Sequence, residues 1–175
     1  YRPQGKIRVI FAAIAAVVLL FGFVAFTGAP YVPSRRSDLQ KAFDELYQLK
    51  KTDVLVDIGS GDGVVLREAS RRGARAIGYE LQPLLVLISR WLSRHDEKVS
   101  VQLANFWRTP LPDETTVVYL FGDGRDIAKM VQYLQYETNR LGRDIWLLSY
   151  GFEAAGLALH KTVGAHNLYL LQPQS

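Results

Sequence analysis

The chain opens on an apolar block and then changes rhythm. Val9 to Phe26 carries no charged and no polar side chain over 18 residues, just long enough to cross a hydrocarbon core as a helix. Arg8 can snorkel at one end, and Thr27, Gly28 and Pro30 stop the helix at the other. A cleaved signal peptide would share the basic start, but its apolar core is normally shorter. A retained single-pass anchor over residues 1–26 is therefore expected, followed by a small-residue and proline linker over 27–36. Because the sequence begins at Tyr1 rather than at a methionine, residues upstream of it are expected too.

From residue 37 onward, three- and four-residue apolar steps alternate with short continuous apolar runs. Leu39, Ala42, Phe43, Leu46 and Leu49 mark one face of a helix opening at Ser37, with Gln40 placed as in a capping box. Val54–Ile58 is a buried strand, and a helix through Val64–Ala69 ends at Gly73. Ala76–Tyr79 is the second strand, ending at Glu80. Pro83 starts a helix running to about His95. Strands follow at Val99–Leu103, Thr116–Phe121 and Ile145–Tyr150, with a helix from Ile127 that stops at Gly142. Segments 157–162 and 168–171, around Gly164, read as a closing antiparallel pair. Such alternation predicts an α/β domain over 37–175: a Rossmann-like, seven-strand, mostly parallel sheet with helices on both faces.

Charge and composition narrow the function. The net charge is +4, but Arg2, Lys6 and Arg8 flank the apolar run, leaving 18 of the 21 basic residues against 17 acids. The excess suits lipid headgroups, and no basic stripe remains to follow a nucleic-acid backbone, so no nucleic-acid partner is expected. With no cysteine, a disulfide framework, a thiolate zinc site and a cysteine nucleophile are excluded. His95, His160 and His166 have no metal-ligand spacing, and no metal is expected. Trp91, Trp107 and Trp146 read as core residues.

The candidate chemistry lies between the first strand and the next helix: Asp57-Ile58-Gly59-Ser60-Gly61-Asp62-Gly63. Glycines there permit positive φ and expose bare backbone, and ligands of open α/β sheets bind beyond the carboxyl ends of the strands. The dinucleotide fingerprint G-x-G-x-x-G fails, because Val64 holds its third glycine position. Acids at Asp57 and Asp62 would repel a pyrophosphate but suit a ligand bearing positive groups. Glu80 lies 21 residues after Gly59, where a carboxylate can accept from both hydroxyls of a ribose; NAD enzymes place an acid similarly.

The G-x-G-x-G loop with its preceding acid resembles the first motif of class I methyltransferases. Tyr31-Val32-Pro33-Ser34, Gly78-Tyr79-Glu80-Leu81-Gln82-Pro83, Asn105-Phe106-Trp107 and Phe121-Gly122 extend this to a resemblance over nearly the whole chain. They resemble the small membrane-anchored protein-lysine methyltransferases, whose mitochondrial members modify the ATP synthase c subunit or the adenine nucleotide translocase. The resemblance implies S-adenosyl-L-methionine as cofactor. It implies contacts from Asp57, Gly59, Ser60, Gly61, Asp62, Gly63, Glu80, Leu81, Asn105 and Phe106, and a protein substrate presenting a lysine. Asn105 either meets the adenine amino group or is a turn asparagine before two packed aromatics. Asp123, just after the fourth strand, either orients the amine or caps a helix. The family usually has an acid at the place of Asn105, and apolar residues where this chain has Asp123-Gly124-Arg125-Asp126.

Three functions stand at this point: methylation of a lysine in a membrane or membrane-adjacent protein, methylation of a lipid or small amphiphile, and a non-catalytic nucleotide-binding module or NAD enzyme. Basic residues flank the apolar run equally, so charge does not orient it. The cofactor's source places the domain on the cytoplasmic face, or the matrix face if the protein is mitochondrial.

Overall fold

The computed structural model describes Arg8, Phe11, residues 36–122 and residues 126–174. The expected anchor at residues 9–26 and linker at 27–36 therefore lie, except for Phe11 and Arg36, outside the described residues. Among the described residues, no helix is long and apolar enough to cross a membrane. The chain divides into two units, residues 1–32 and 33–175, and all the elements below belong to the second.

That unit contains α1 (Arg36–Glu45), β1 (Val54–Ile58), α2 (Val64–Arg71), β2 (Arg75–Glu80), α3 (Pro83–Leu92), β3 (Val99–Leu103), a 3-10 turn (Phe106–Arg108), β4 (Val117–Phe121), α4 (Ile127–Leu141), β5 (Ile145–Tyr150), β6 (Leu159–Val163) and β7 (His166–Leu171). The strands form one sheet in the order β3-β2-β1-β4-β5-β7-β6. The first five are parallel, and β7 runs antiparallel to both of its neighbours. The order reverses beside β1, which puts the β1–α2 loop at the switch point where such sheets bind ligands.

Strand alternation sends β1 side chains to two cores. Leu55 joins Ala76, Val117, Tyr119 and Leu148 under α1, α2 and Val86 of α3. Val54, Val56 and Ile58 join Ile77, Val118, Leu147 and the α4 residues Met130 and Leu134 on the other face. Among the described residues, helices thus cover both faces, three on one and one on the other, and no α-helix follows β3 or β5. The second face is completed instead by the turn at Phe106–Trp107 and by Phe152 and Ala154.

Three expectations shift. The first helix ends at Glu45, although Leu46 and Leu49 beyond it are still buried. The helix after Pro83 ends at Leu92, three residues early. Trp91 is not core: 63% of it is exposed, and it lies on the outer stripe of α3.

Candidate active site at the first strand–helix turn

The loop after β1 has the backbone that its glycines predict. Gly59, Gly61 and Gly63 have φ of 78°, 54° and 81°, a region that side chains disfavour. The Gly59 and Ser60 amides both donate to the Tyr79 carbonyl, at 2.8 and 3.1 Å, which ties the loop to the end of β2. The glycines serve different ends. A Cβ on Gly59 would meet nothing within 4 Å, so this position faces open space. One on Gly63 would strike the Ser89 hydroxyl of α3 at 2.1 Å. Gly78 in β2 is also obligatory, since a Cβ there would meet Ser60 and Leu66 below 3.0 Å.

The carboxyl end of β2 brings Glu80 to this loop. One carboxylate oxygen accepts from the Gly61 amide at 2.8 Å and the other from the Gln82 amide at 2.8 Å. A carboxylate offers about four acceptor positions, so each oxygen keeps capacity for one more donor. The side chain is buried yet makes no ion pair among the described residues.

Asp57, at the end of β1, is 3% exposed. Its carboxyl is pushed well above the ordinary carboxylate range by burial first, then by the negative charges of Glu80 and Asp62. Asp62 is used otherwise. One oxygen accepts from the Val64 amide at 3.2 Å, covering the start of α2, and the other pairs with Arg67 at 3.6 Å. The two acids that the sequence treated alike therefore separate. Asp57 makes no ion pair among the described residues, while Asp62 is occupied by its own helix and by Arg67, a residue that no sequence motif singles out.

The ends of β2 and β3 are joined by the Ala104 amide donating to the Glu80 carbonyl at 3.0 Å. This brings Asn105 and Phe106 beside Glu80 and half-exposed Leu81. The Asn105 side-chain oxygen accepts from the Trp107 amide at 3.1 Å and so caps the 3-10 turn. Phe106 packs against Trp107 with centroids 4.4 Å apart and against Tyr133 at 6.1 Å. The turn role of Asn105 is thus formed, and its oxygen retains one acceptor position. At the carboxyl ends of β4 and β5, Phe121 and Tyr150 stack with centroids 5.3 Å apart. Asp123 lies outside the described residues. The residue in the cap position of α4 is Asp126, whose side chain makes no capping bond.

Among the described residues, no cluster of His, Asp and Glu could hold a metal ion. Three carboxylates converge on a turn that faces open space at Gly59. That acceptor set suits a ligand with positive charge and paired hydroxyls.

No family model matches the chain. Among curated proteins, the Xenopus laevis lysine N-methyltransferase of the ATP synthase c subunit is 31% identical over 119 residues, 66% of this chain and 51% of that protein. The Homo sapiens enzyme of the same name is 30% identical over 111 residues, 62% and 46% of the two chains. The Caenorhabditis elegans one is 28% identical over 141 residues, 69% and 73%. The chain spans about half the length of the first two relatives. Among solved structures, an RNA methyltransferase from Salinibacter ruber in complex with S-adenosyl-L-homocysteine superposes with a TM-score of 0.72 at 26% identity, over 82% of this chain and 95% of that one. The 23S rRNA methyltransferase ErmE gives 0.57 at 13% identity, covering 83% and 70%, a likeness of fold alone. The described domain therefore has the Rossmann-like fold of S-adenosylmethionine-dependent methyltransferases, and its sequence is similar to those of the lysine N-methyltransferases named for the ATP synthase c subunit.

Proposed function

We propose that this protein is an S-adenosylmethionine-dependent methyltransferase that N-methylates a lysine of a membrane or membrane-adjacent protein. The observation that carries the reading is Glu80, whose two oxygens fix the Gly61 and Gln82 amides and each keep an acceptor position. A ribose diol is the donor pair that such a carboxylate fits. Asp57 supports it: a buried carboxyl with raised pKa gains most from a ligand that brings its own cation. The similarity to the named lysine methyltransferases supports the choice of acceptor.

When bound, S-adenosylmethionine supplies a methyl group already activated on a sulfonium. The chain's own residues have the remaining work. Gly59 leaves backbone room, Asp57 would meet the cationic methionine end, Glu80 would hold the ribose, and Leu81 and Phe106 would offer apolar surface to the adenine. The acceptor lysine must be neutral, and with an ordinary pKa of about 10.4 its deprotonation at pH 7 costs about 4.6 kcal/mol. The stacked rings of Phe121 and Tyr150 at the strand ends are apolar surface that would lower that cost by penalising the ammonium form of a lysine placed against them. Asp123 stays the proposed orienting acid on sequence position alone.

The apolar run at 9–26 motivates a membrane setting, since a tether raises the effective concentration of an acceptor in the same bilayer. The domain is proposed to face the cytoplasm, or the matrix in a mitochondrion, where the cofactor is supplied. Protease protection in sealed membranes checks this: a C-terminus cleaved from the opposite side contradicts it.

The test of function is transfer of labelled methyl groups from S-adenosylmethionine by the full chain into membranes and total RNA. Label is expected as methyl-lysine in membrane protein and absent with Glu80→Ala. Label in extracted lipid or in RNA instead moves the acceptor to those classes.

A further inference from the structure

Helix α3 is inverted relative to an ordinary surface helix. Its inward stripe is Val86 and Ser89, continued by Ser93, all buried. The Ser89 and Ser93 hydroxyls find no hydrogen-bond partner among the described residues. The inward residues are small because the Gly63 turn packs directly on Ser89. The outward stripe is Leu84, Leu87, Ile88, Trp91 and Leu92, spaced at three and four residues, and all are exposed; Leu87 reaches 62% and Trp91 63%. Leu81 before the helix and Leu103 at the end of the edge strand β3 are also exposed. A contiguous apolar patch of this kind marks an interaction site.

We infer that the outer face of α3 is a membrane-docking surface that rests on the lipid headgroup–acyl boundary beside the cofactor loop. Charge selects lipid over a protein partner. Residues 81–95 contain no acid and include Arg90 and Arg94. The Arg94 guanidinium lies over the Trp91 ring, 4.9 Å from its centroid. Aliphatic side chains, a tryptophan and flanking arginines on one helix are the composition of interfacial helices on anionic bilayers. The uncharged run at 9–26, long enough to cross a hydrocarbon core, is a second sequence feature that suits a bilayer. Because α3 starts three residues after Glu80 and packs on Gly63, docking would hold the mouth of the site at headgroup level, within reach of acceptors at the membrane surface. This surface goes beyond the proposed chemistry and does not depend on which acceptor is methylated.

The absence of cysteine makes the test direct. The full chain carrying Leu87→Cys is labelled with an environment-sensitive fluorophore and reconstituted into vesicles of phosphatidylcholine and phosphatidylglycerol. Tyr136→Cys, exposed on α4 at the opposite face of the sheet, is the control, and Leu84→Cys repeats the measurement on the stripe. Docking predicts that the label at 87 shifts to the blue, is quenched by nitroxide-bearing lipids and is shielded from iodide, while the label at 136 behaves oppositely. A label at 87 that iodide quenches equally with and without vesicles overturns the inference. Shielding from both quenchers also overturns it, because protein, whether residues 9–26 or a second copy, would then cover the helix. Titrating the same labelled proteins with S-adenosylhomocysteine keeps the two ideas apart. Lipid contact without cofactor binding defeats the proposed function alone, and binding without lipid contact defeats the docking surface alone.

Discussion

Helix α2 carries a buried carboxylate in its middle and a group of acids at its N-terminal end, and the two are built in opposite ways. In the middle of the helix, Glu68 is enclosed by Arg36, Arg71 and Arg72, and Arg72 also pairs with Asp44 at 2.8 Å. Those hydrogen bonds outweigh the burial that opposes them and hold the Glu68 carboxyl below the ordinary range. At the N-terminal end, Asp57, Asp62 and Glu80 converge, but among the described residues the sole ion pair there is Asp62 with Arg67. Burial and mutual repulsion drive Asp57 upward instead. A buried acid provided with its own cations joins helices; acids packed together without enough of them form a place for a ligand to complete.

The sharpest way to break this contrast is Glu80→Ala. It removes two backbone hydrogen bonds and the acceptor positions assigned to the ribose. Charge-assisted hydrogen bonds are each worth roughly 1.5–3 kcal/mol, so cofactor affinity should fall by at least about 100-fold in calorimetric titration. Unchanged affinity would remove Glu80 from the site.

Glu68→Ala is the reciprocal change. Breaking a fully buried ion pair costs about 3–5 kcal/mol, and about 2–3 kcal/mol is expected here because Arg36 and Arg71 remain half-exposed. Urea unfolding should show that loss, with cofactor affinity held within a factor of about two, well under the tenfold step of 1.4 kcal/mol. A large affinity change at unaltered stability would reverse the two roles.

Asp57→Asn sharpens the comparison through pH. With its folded pKa raised above 3.8, Asp57 adds stability at low pH that is lost as pH rises through the folded value. A cationic ligand favours the ionised form, so cofactor affinity should rise over that same pH window. In the variant both slopes should flatten, and affinity at pH 7 should fall about tenfold, the equivalent of one pKa unit. A pH slope identical in the variant would exclude Asp57 as its source.

Arg67→Ala should do least. The Arg67–Asp62 pair is partly solvated and long, and such pairs contribute about 0.2–1 kcal/mol. A stability loss of that size, and an affinity change under about fivefold, is expected from the same unfolding and titration experiments. A loss as large as that of Glu80→Ala would place Arg67 in the binding machinery.

Much of the fold was legible in the sequence because its signals are local. Apolar runs gave β1 and β5, and alternation gave β3, with their observed bounds, and Gly73 and Gly142 stop their helices in left-handed conformations. Three-dimensional proximity was not legible. Nothing in the spacing distinguishes Asp57 from Asp62, since the difference lies in where Arg67 folds back. Asn105 could be read two ways because an amide oxygen can accept either from a turn amide or from a ligand, and the turn bond to the Trp107 amide is the one formed. Pro83 announced the start of α3, but the sequence does not tell which face of that helix lies inward. Trp91 was misplaced for that reason: the inward stripe is set by close approach to Gly63, which admits serine and not leucine.

The central claim is that the acids around Gly59 wait for the cation and ribose of an S-adenosyl ligand. It is tested most directly by calorimetric titration of the full chain with S-adenosylmethionine at several pH values, beside Glu80→Ala and Glu68→Ala. The account predicts saturable binding that tightens as pH rises, is lost in Glu80→Ala and survives in Glu68→Ala. A folded protein that shows no binding, or binds equally well without Glu80, would contradict it.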